Sequence, residues 1–210
     1  MNLQTKHHGF TLIEALVSIG VISLIGLAIV AFQKSVIQNS KVMQASLTSQ
    51  QQVRKTLKSF SAEIRSAMPS ETGAYAVATS STSSIMFYAN IDGGPEVELV
   101  HYFLATSTSP VVFDVLKKGV TKPTGTTYIA STESVTTLIR DIKNSSSSPL
   151  FSYYDANYAG TSTPLSTSPL NLNLIRLVKI TILVDPNSSR SPFPQTYTTS
   201  VALRNLKTNF

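Results

Sequence analysis

The alternation of apolar and polar positions divides the chain near residue 33. From Phe10 to Phe32 the chain is dominated by Leu, Ile, Val, Ala and Gly, and Glu14 is its only charged residue. At 1.5 Å per residue such a run spans roughly 30 Å of hydrocarbon, so it predicts a membrane-crossing helix. It is longer than the apolar region of a cleaved secretory signal, and no A-x-A-like site closes it. After Phe32 the pattern narrows to one stripe. Val36, Met43, Leu47, Val53, Leu57, Phe60, Ile64 and Met68 recur mainly at three- and four-residue intervals, which predicts an amphipathic helix over 33–68. Pro69 is expected to end it. The stripe does not hold strict heptads, so it reads as a packing spine for a β-rich region rather than as a coiled-coil seam.

Beyond Pro69 the period changes to two. Ser84 to Ile91 and Val97 to Ala105 flank the turn sequence D-G-G-P and predict a hairpin. Val111 to Leu116 adds a candidate strand, and Glu133 to Ile142 fits either a short helix or a strand. Leu150 to Tyr154, Leu172 to Val184 and Thr196 to Leu206 supply the remaining strands, the last two joined by a Pro- and Ser-rich connection at 185–195. The expected fold class is α+β, with a long N-terminal helix packed against an antiparallel β-sheet head.

Composition adds limits. The 210 residues suffice for one domain with a core plus one extra element. With no cysteine, disulfides and thiolate metal sites are excluded. The net charge of +6 permits attraction to nucleic acid or anionic polymers, but the basic residues are scattered. Lys117, Lys118 and Lys122 form one cluster, expected in a solvated loop. Arg176, Lys179, Arg190, Arg204 and Lys207 are the candidates for a DNA-binding or surface-adhering head, although strand alternation puts Arg176 and Lys179 on opposite faces.

Catalytic chemistry is hard to find at this level. His7 and His8 lie in the first nine residues, and His101 stands in a strand, where a packed or surface role is expected. The serines lie in loops without a G-x-S-x-G elbow, so no enzymatic activity is expected. Asp155 and Asn157 in D-A-N-Y-A-G are weak candidates for Ca²⁺, but two oxygen side chains fall short of the six to eight ligands calcium takes, and an Asx turn is the simpler expectation. No cofactor is expected.

Glu14 is the outstanding oddity. A carboxylate within a membrane-length helix costs on the order of 2.5 to 3.5 kcal/mol on insertion scales, unless it lies close enough to the end to reach interfacial water. Around it, Gly9, Phe10, Thr11, Leu12, Ile13 and Glu14 read G-F-T-L-I-E, continuing through Ala15, Leu16 and Val17, after a short polar leader. This stretch resembles the processing motif of bacterial type IV prepilins and type II secretion pseudopilins. Further along, F-S-Y-Y-D at 151–155, L-I-R-L-V-K-I-T-I-L-V-D at 174–185 and T-T-S-V-A-L-R-N at 198–205 resemble the C-terminal strands of J-type minor pseudopilins and PilW-like minor pilins. Unlike many major pilins, the chain has no proline in the second half of the apolar run.

The resemblance implies a leader at 1–9, a membrane or filament-core helix at 10–32, an amphipathic continuation at 33–68 and a β-rich head at 69–210. It implies cleavage after Gly9 by a membrane prepilin peptidase, N-methylation of the new amino group of Phe10, and an assembly role for Glu14 opposite Phe10 of a neighbouring subunit. The partners would be that peptidase and other major and minor pilins. The chain would sit in the cytoplasmic membrane as a single-pass protein with its head outside the cytoplasm, and then in an extracytoplasmic filament near the tip or initiation complex.

Overall fold

The computed structural model describes residues 9–107, 113–166, 171–185 and 194–203. One helix, α1 (Leu12–Arg65), precedes ten strands: β1 (Val77–Ser80), β2 (Ser84–Ala89), β3 (Glu98–Ser107), β4 (Phe113–Thr121), β5 (Pro123–Thr124), β6 (Thr127–Tyr128), β7 (Ser134–Ile142), β8 (Phe151–Tyr154), β9 (Leu177–Val184) and β10 (Gln195–Ala202). The fold is α+β with an antiparallel sheet, as the two periods predict. The chain forms two compact units, Met1–Ala45 and Ser46–Phe210.

In the first unit the described residues are almost wholly helical, and the large apolar side chains from Leu12 to Ile37 are exposed. Ser18 and Ser23 return their hydroxyls to the carbonyls of Glu14 and Ile19 at 2.7 and 2.8 Å. Their polar atoms are thereby satisfied within the helix, as an apolar solvent demands.

The second unit is built on the sheet order β1-β2-β3-β4-β7-β9-β10, with β8 also paired to β9. Alternation puts Ile85, Phe87 and Ala89 of β2, Val100 and Tyr102 of β3, and Val178, Ile180, Ile182 and Val184 of β9 into the core. The C-terminal part of α1 contributes Val53, Phe60 and Ile64 to the same core. Phe60 is its hub, with ring centroids 5.2 Å from Tyr102, 5.8 Å from Phe151 and 6.4 Å from Phe87.

Several expectations change. The apolar stripe of α1 is buried only from Val53 onward, and Val36, Met43 and Leu47 stay exposed. The helix ends at Arg65, short of Pro69, because the sheet captures the next residues: Ala67 bridges to Ala89 and the Met68 N–H donates to the Tyr88 carbonyl at 3.0 Å. Glu133–Ile142 resolves into strand β7, whose Val, Thr and Ile residues suit a pleated surface better than a helix. Lys117 and Lys118 lie within β4 rather than in a solvated loop; only Lys122 comes after the strand. Leu172–Leu174 form a 3₁₀ turn ahead of β9. The short strands β1, β5 and β6 have no signal in the sequence pattern. Residues 111–112 and 204–206 of the expected strands lie outside the described residues.

Candidate functional site

The residues around Gly9 occupy the entrance to α1. Thr11 caps it: the Glu14 N–H donates to Thr11 Oγ1 at 3.4 Å, and the Ala15 N–H to the Thr11 carbonyl at 3.1 Å. The spacing T-x-x-E is that of a capping box, and an acidic side chain in the first turn is favoured by the positive end of the helix dipole. Local helix chemistry thus tolerates Glu14 at this position, although the side chain is exposed and has no cation beside it among the described residues. Gly9 precedes the helix, and a Cβ built there would meet nothing within 4 Å. No packing contact among the described residues therefore demands a glycine there. Phe10 is 76% exposed. Beyond these residues α1 holds a span long and apolar enough to cross a membrane.

Other sequence candidates fare differently. Asp155 and Asn157 form an Asx turn, in which the Asn157 N–H donates to Asp155 Oδ1 at 3.0 Å and the Asn157 amide to Oδ2 at 3.3 Å. No group of three or more His, Cys, Asp or Glu side chains converges among the described residues. Arg176 is turned onto the protein itself, donating to the carbonyls of Asn173 and Ile175 at 2.7 and 3.0 Å and to the Tyr75 hydroxyl at 3.4 Å. Lys179 lies in β9, while His7, His8, Arg190, Arg204 and Lys207 lie outside the described residues.

Two clusters have no counterpart in the sequence pattern. On the face covered by α1, Glu63 takes hydrogen bonds from Lys118 Nζ at 2.6 Å, the Ser59 hydroxyl at 2.7 Å and the Tyr102 hydroxyl at 2.8 Å. Burial, and then the Glu63 carboxylate, raise the pKa of the Tyr102 phenol well above its usual value. On the opposite face, His101 stands between Ser84 and Glu133: Ser84 Oγ is 3.0 Å from Nε2, and Glu133 Oε1 is 3.0 Å from Nδ1. In the sequence His101 looks isolated because its two partners come from other parts of the sheet, and no short motif joins them.

Residues 4–30 match the family described as the prokaryotic N-terminal methylation motif. No curated protein and no solved structure matches the chain. The matched segment covers the polar residues before Gly9, the capped helix entrance and the exposed apolar span through Val30. Such a motif implies processing by a prepilin peptidase and assembly with other subunits of its kind.

Proposed function

We propose that this chain, a type IV pilin- or pseudopilin-like protein with a prepilin-type N-terminus and a transmembrane helix, serves as a minor subunit assembled near the tip or initiation complex of a type IV pilus or type II secretion-like filament. The reading rests on one observation above all: an apolar helical surface, exposed from Leu12 to Ile37, whose first turn carries the Glu14 carboxylate and whose Ser18 and Ser23 hydroxyls are satisfied within the helix. A face of this kind needs an apolar partner, either lipid before assembly or the helices of other subunits after it. In this reading the leader is 1–9, the membrane or filament-core segment 10–32, the amphipathic continuation 33–68 and the head 69–210. The head faces away from the cytoplasm.

Cleavage after Gly9 frees the amino group of Phe10, which is then methylated and cationic. The Glu14 carboxylate of one subunit meets that cation on a neighbour, so two charges that are each costly in hydrocarbon neutralise one another and set the register of the helices. Gly9 presents an unobstructed carbonyl to the peptidase. The subunit is structural: the helix supplies packing area, and the head contacts other minor subunits or cargo. The size of the head, with ten strands among its described residues, supports a minor rather than a major role.

The test is the mass of the mature N-terminal peptide from cells with an active prepilin peptidase. A peptide beginning at methylated Phe10 is expected, and intact Met1 would overturn the processing pathway. Glu14→Ala is expected to leave cleavage intact while reducing incorporation into filaments. Normal incorporation would remove the assembly role of Glu14.

A further inference from the structure

We propose that the sheet face opposite α1 carries a nucleophilic serine, Ser84, activated by His101 and positioned through Glu133, that accepts acyl groups from small carboxylic esters. The proposal goes beyond the structural role and does not depend on it.

A neutral imidazole fits the two contacts in one tautomer. A carboxylate only accepts hydrogen bonds, so the 3.0 Å contact between Glu133 Oε1 and His101 Nδ1 places the imidazole proton on Nδ1. Nε2 of the neutral ring then holds a free lone pair, and at 3.0 Å it accepts the hydroxyl proton of Ser84. A nucleophile bonded to a base, and a base oriented by a third group, is the arrangement that makes a serine hydroxyl reactive. The three residues come from the start of β2, the middle of β3 and the residue before β7.

Two neighbours hold the relay in place. Gly119 of β4 lies directly opposite His101 in the sheet register. A Cβ at Gly119 would fall 1.7 Å from Glu133 Oε1 and 2.4 Å from its carboxyl carbon, so only glycine lets the carboxylate cross the strand to reach the histidine. Phe103 stacks on the imidazole, with ring centroids 4.3 Å apart and planes inclined by 24°. Phe103 is also the cross-strand partner of Ser84, and Met86 that of His101, so apolar side chains flank the hydroxyl on the same face. Small esters with an apolar acyl or aryl group suit such a surface. The side chains of His101 and Glu133 retain 17% and 22% exposure, which leaves the relay open to solvent.

The reaction balances without any further cofactor. Ser84 Oγ bonds to the ester carbonyl carbon while its proton passes to Nε2, and Glu133 faces the resulting imidazolium. The bond to the leaving alkoxide breaks, and that oxygen takes the proton from Nε2. Water, activated by the same nitrogen, then attacks the acyl-serine, releasing the carboxylic acid and restoring Ser84. Strand N–H groups are committed to the sheet ladder, so little backbone stabilisation is available to the oxyanion, and the covalent adduct rather than fast turnover is the informative readout.

The test uses the full chain in detergent micelles with two probes, a fluorophosphonate and p-nitrophenyl acetate, the adducts being located by peptide mass spectrometry. Ser84 is expected to be labelled at least ~100-fold faster than the neighbouring Ser83, since general-base assistance contributes about 10²–10⁴-fold. Ser84→Ala removes the adduct. His101→Gly lowers labelling to the level of Ser83, and added imidazole restores it, which a merely structural role for the ring would not allow. Gly119→Ala slows labelling by displacing Glu133. Equal labelling of Ser84 and Ser83 in the unmodified protein overturns the proposal whatever the variants do, as does unchanged labelling in His101→Gly.

Discussion

Leu24 and Leu116 have the same side chain and opposite fates: the first is 68% exposed on α1 and the second, in β4 of the sheet, is fully buried. The contrast runs through the two units. Between Leu12 and Ile37 large apolar residues surround the helix, whereas from Val53 on they occupy one face and are buried. Burying such a side chain is worth about 1.5–3 kcal/mol, so the head gains its stabilisation internally while the N-terminal unit leaves its own to be gained elsewhere. Polar groups obey the same division. Ser18 and Ser23 satisfy themselves within their own helix, whereas Glu63 is satisfied by Lys118 and Tyr102, distant in sequence. Apolar residues all round a helix mark a segment meant for another medium or another chain; apolar residues on one face mark a segment already matched within its own chain.

The most severe way to break this comparison is to make the same truncation in both regions. Phe60→Ala removes the hub of the aromatic cluster and is expected to destabilise the head by about 3–5 kcal/mol in urea unfolding monitored by tyrosine fluorescence. Phe32→Ala removes the same ring from an exposed position and is expected to leave that unfolding midpoint unchanged. An equal loss from both would mean that the apolar span supports the head and is not reserved for outside partners.

A smaller effect sharpens the account of how the helix is fastened. The Lys118 and Glu63 side chains are only 16% and 12% exposed, so Lys118→Met leaves a largely dehydrated carboxylate with hydroxyl donors alone. Hydrogen bonds to charged groups contribute about 1.5–3 kcal/mol, and a loss of that order is expected in the same unfolding experiment. The double variant Lys118→Met with Glu63→Gln should recover part of it, because the unpaired charge is then gone. Failure of the second change to recover any stability would assign the loss to packing of the lysine stem instead.

What could be read from the sequence was local. The apolar run, the stripe at Val53, Leu57, Phe60 and Ile64 and the hairpin of β2 and β3 each depend on residues a few positions apart. The two polar clusters depend on strand register. Ser84 and His101 are 17 positions apart, His101 and Glu133 are 32, and Glu63 and Lys118 are 55. A shift of one residue in any of these strands would turn the partners to opposite faces. The lysine cluster misled for the same reason: K-K-G-V-T-K looks like a loop until the alternation of β4 aims Lys118 at Glu63 and leaves Lys117 on the other face. Val36, Met43 and Leu47 carry the stripe's period without its burial, because periodicity identifies a face but not what covers it.

Alkaline pH offers a gentler probe of the matched side. Burial and the neighbouring carboxylate hold the Tyr102 pKa above that of an unfolded tyrosine, so the folded protein binds this proton more tightly than the unfolded chain. Tyr102 therefore contributes stability that is fully present below about pH 10 and is lost as the pH climbs toward the higher folded value. Tyr153, raised by burial, acts in the same direction. Absorbance titration is expected to show both phenols ionising only when the head unfolds, and Phe60→Ala should bring that event to lower pH. Ionisation of Tyr102 in the intact fold would contradict its placement against Glu63.

The smallest expected effect comes from the loop joining β2 and β3, where Lys122 meets Asp92 at 2.6 Å in open solvent. The hydrogen bond from Lys122, supported by the Gly94 N–H, lowers the Asp92 pKa to about 2. The sign is opposite to that of the tyrosines: the pair stabilises the fold above the unfolded value of 3.8 and loses this contribution as the pH falls toward 2. A solvated pair is screened, so Lys122→Ala should return the Asp92 titration toward ordinary carboxylate values in an NMR pH series while barely moving the unfolding midpoint at neutral pH. A large change in neutral-pH stability would show that the loop clamps the β2–β3 hairpin, and that surface charge in the head does work here attributed to its buried aromatic cluster.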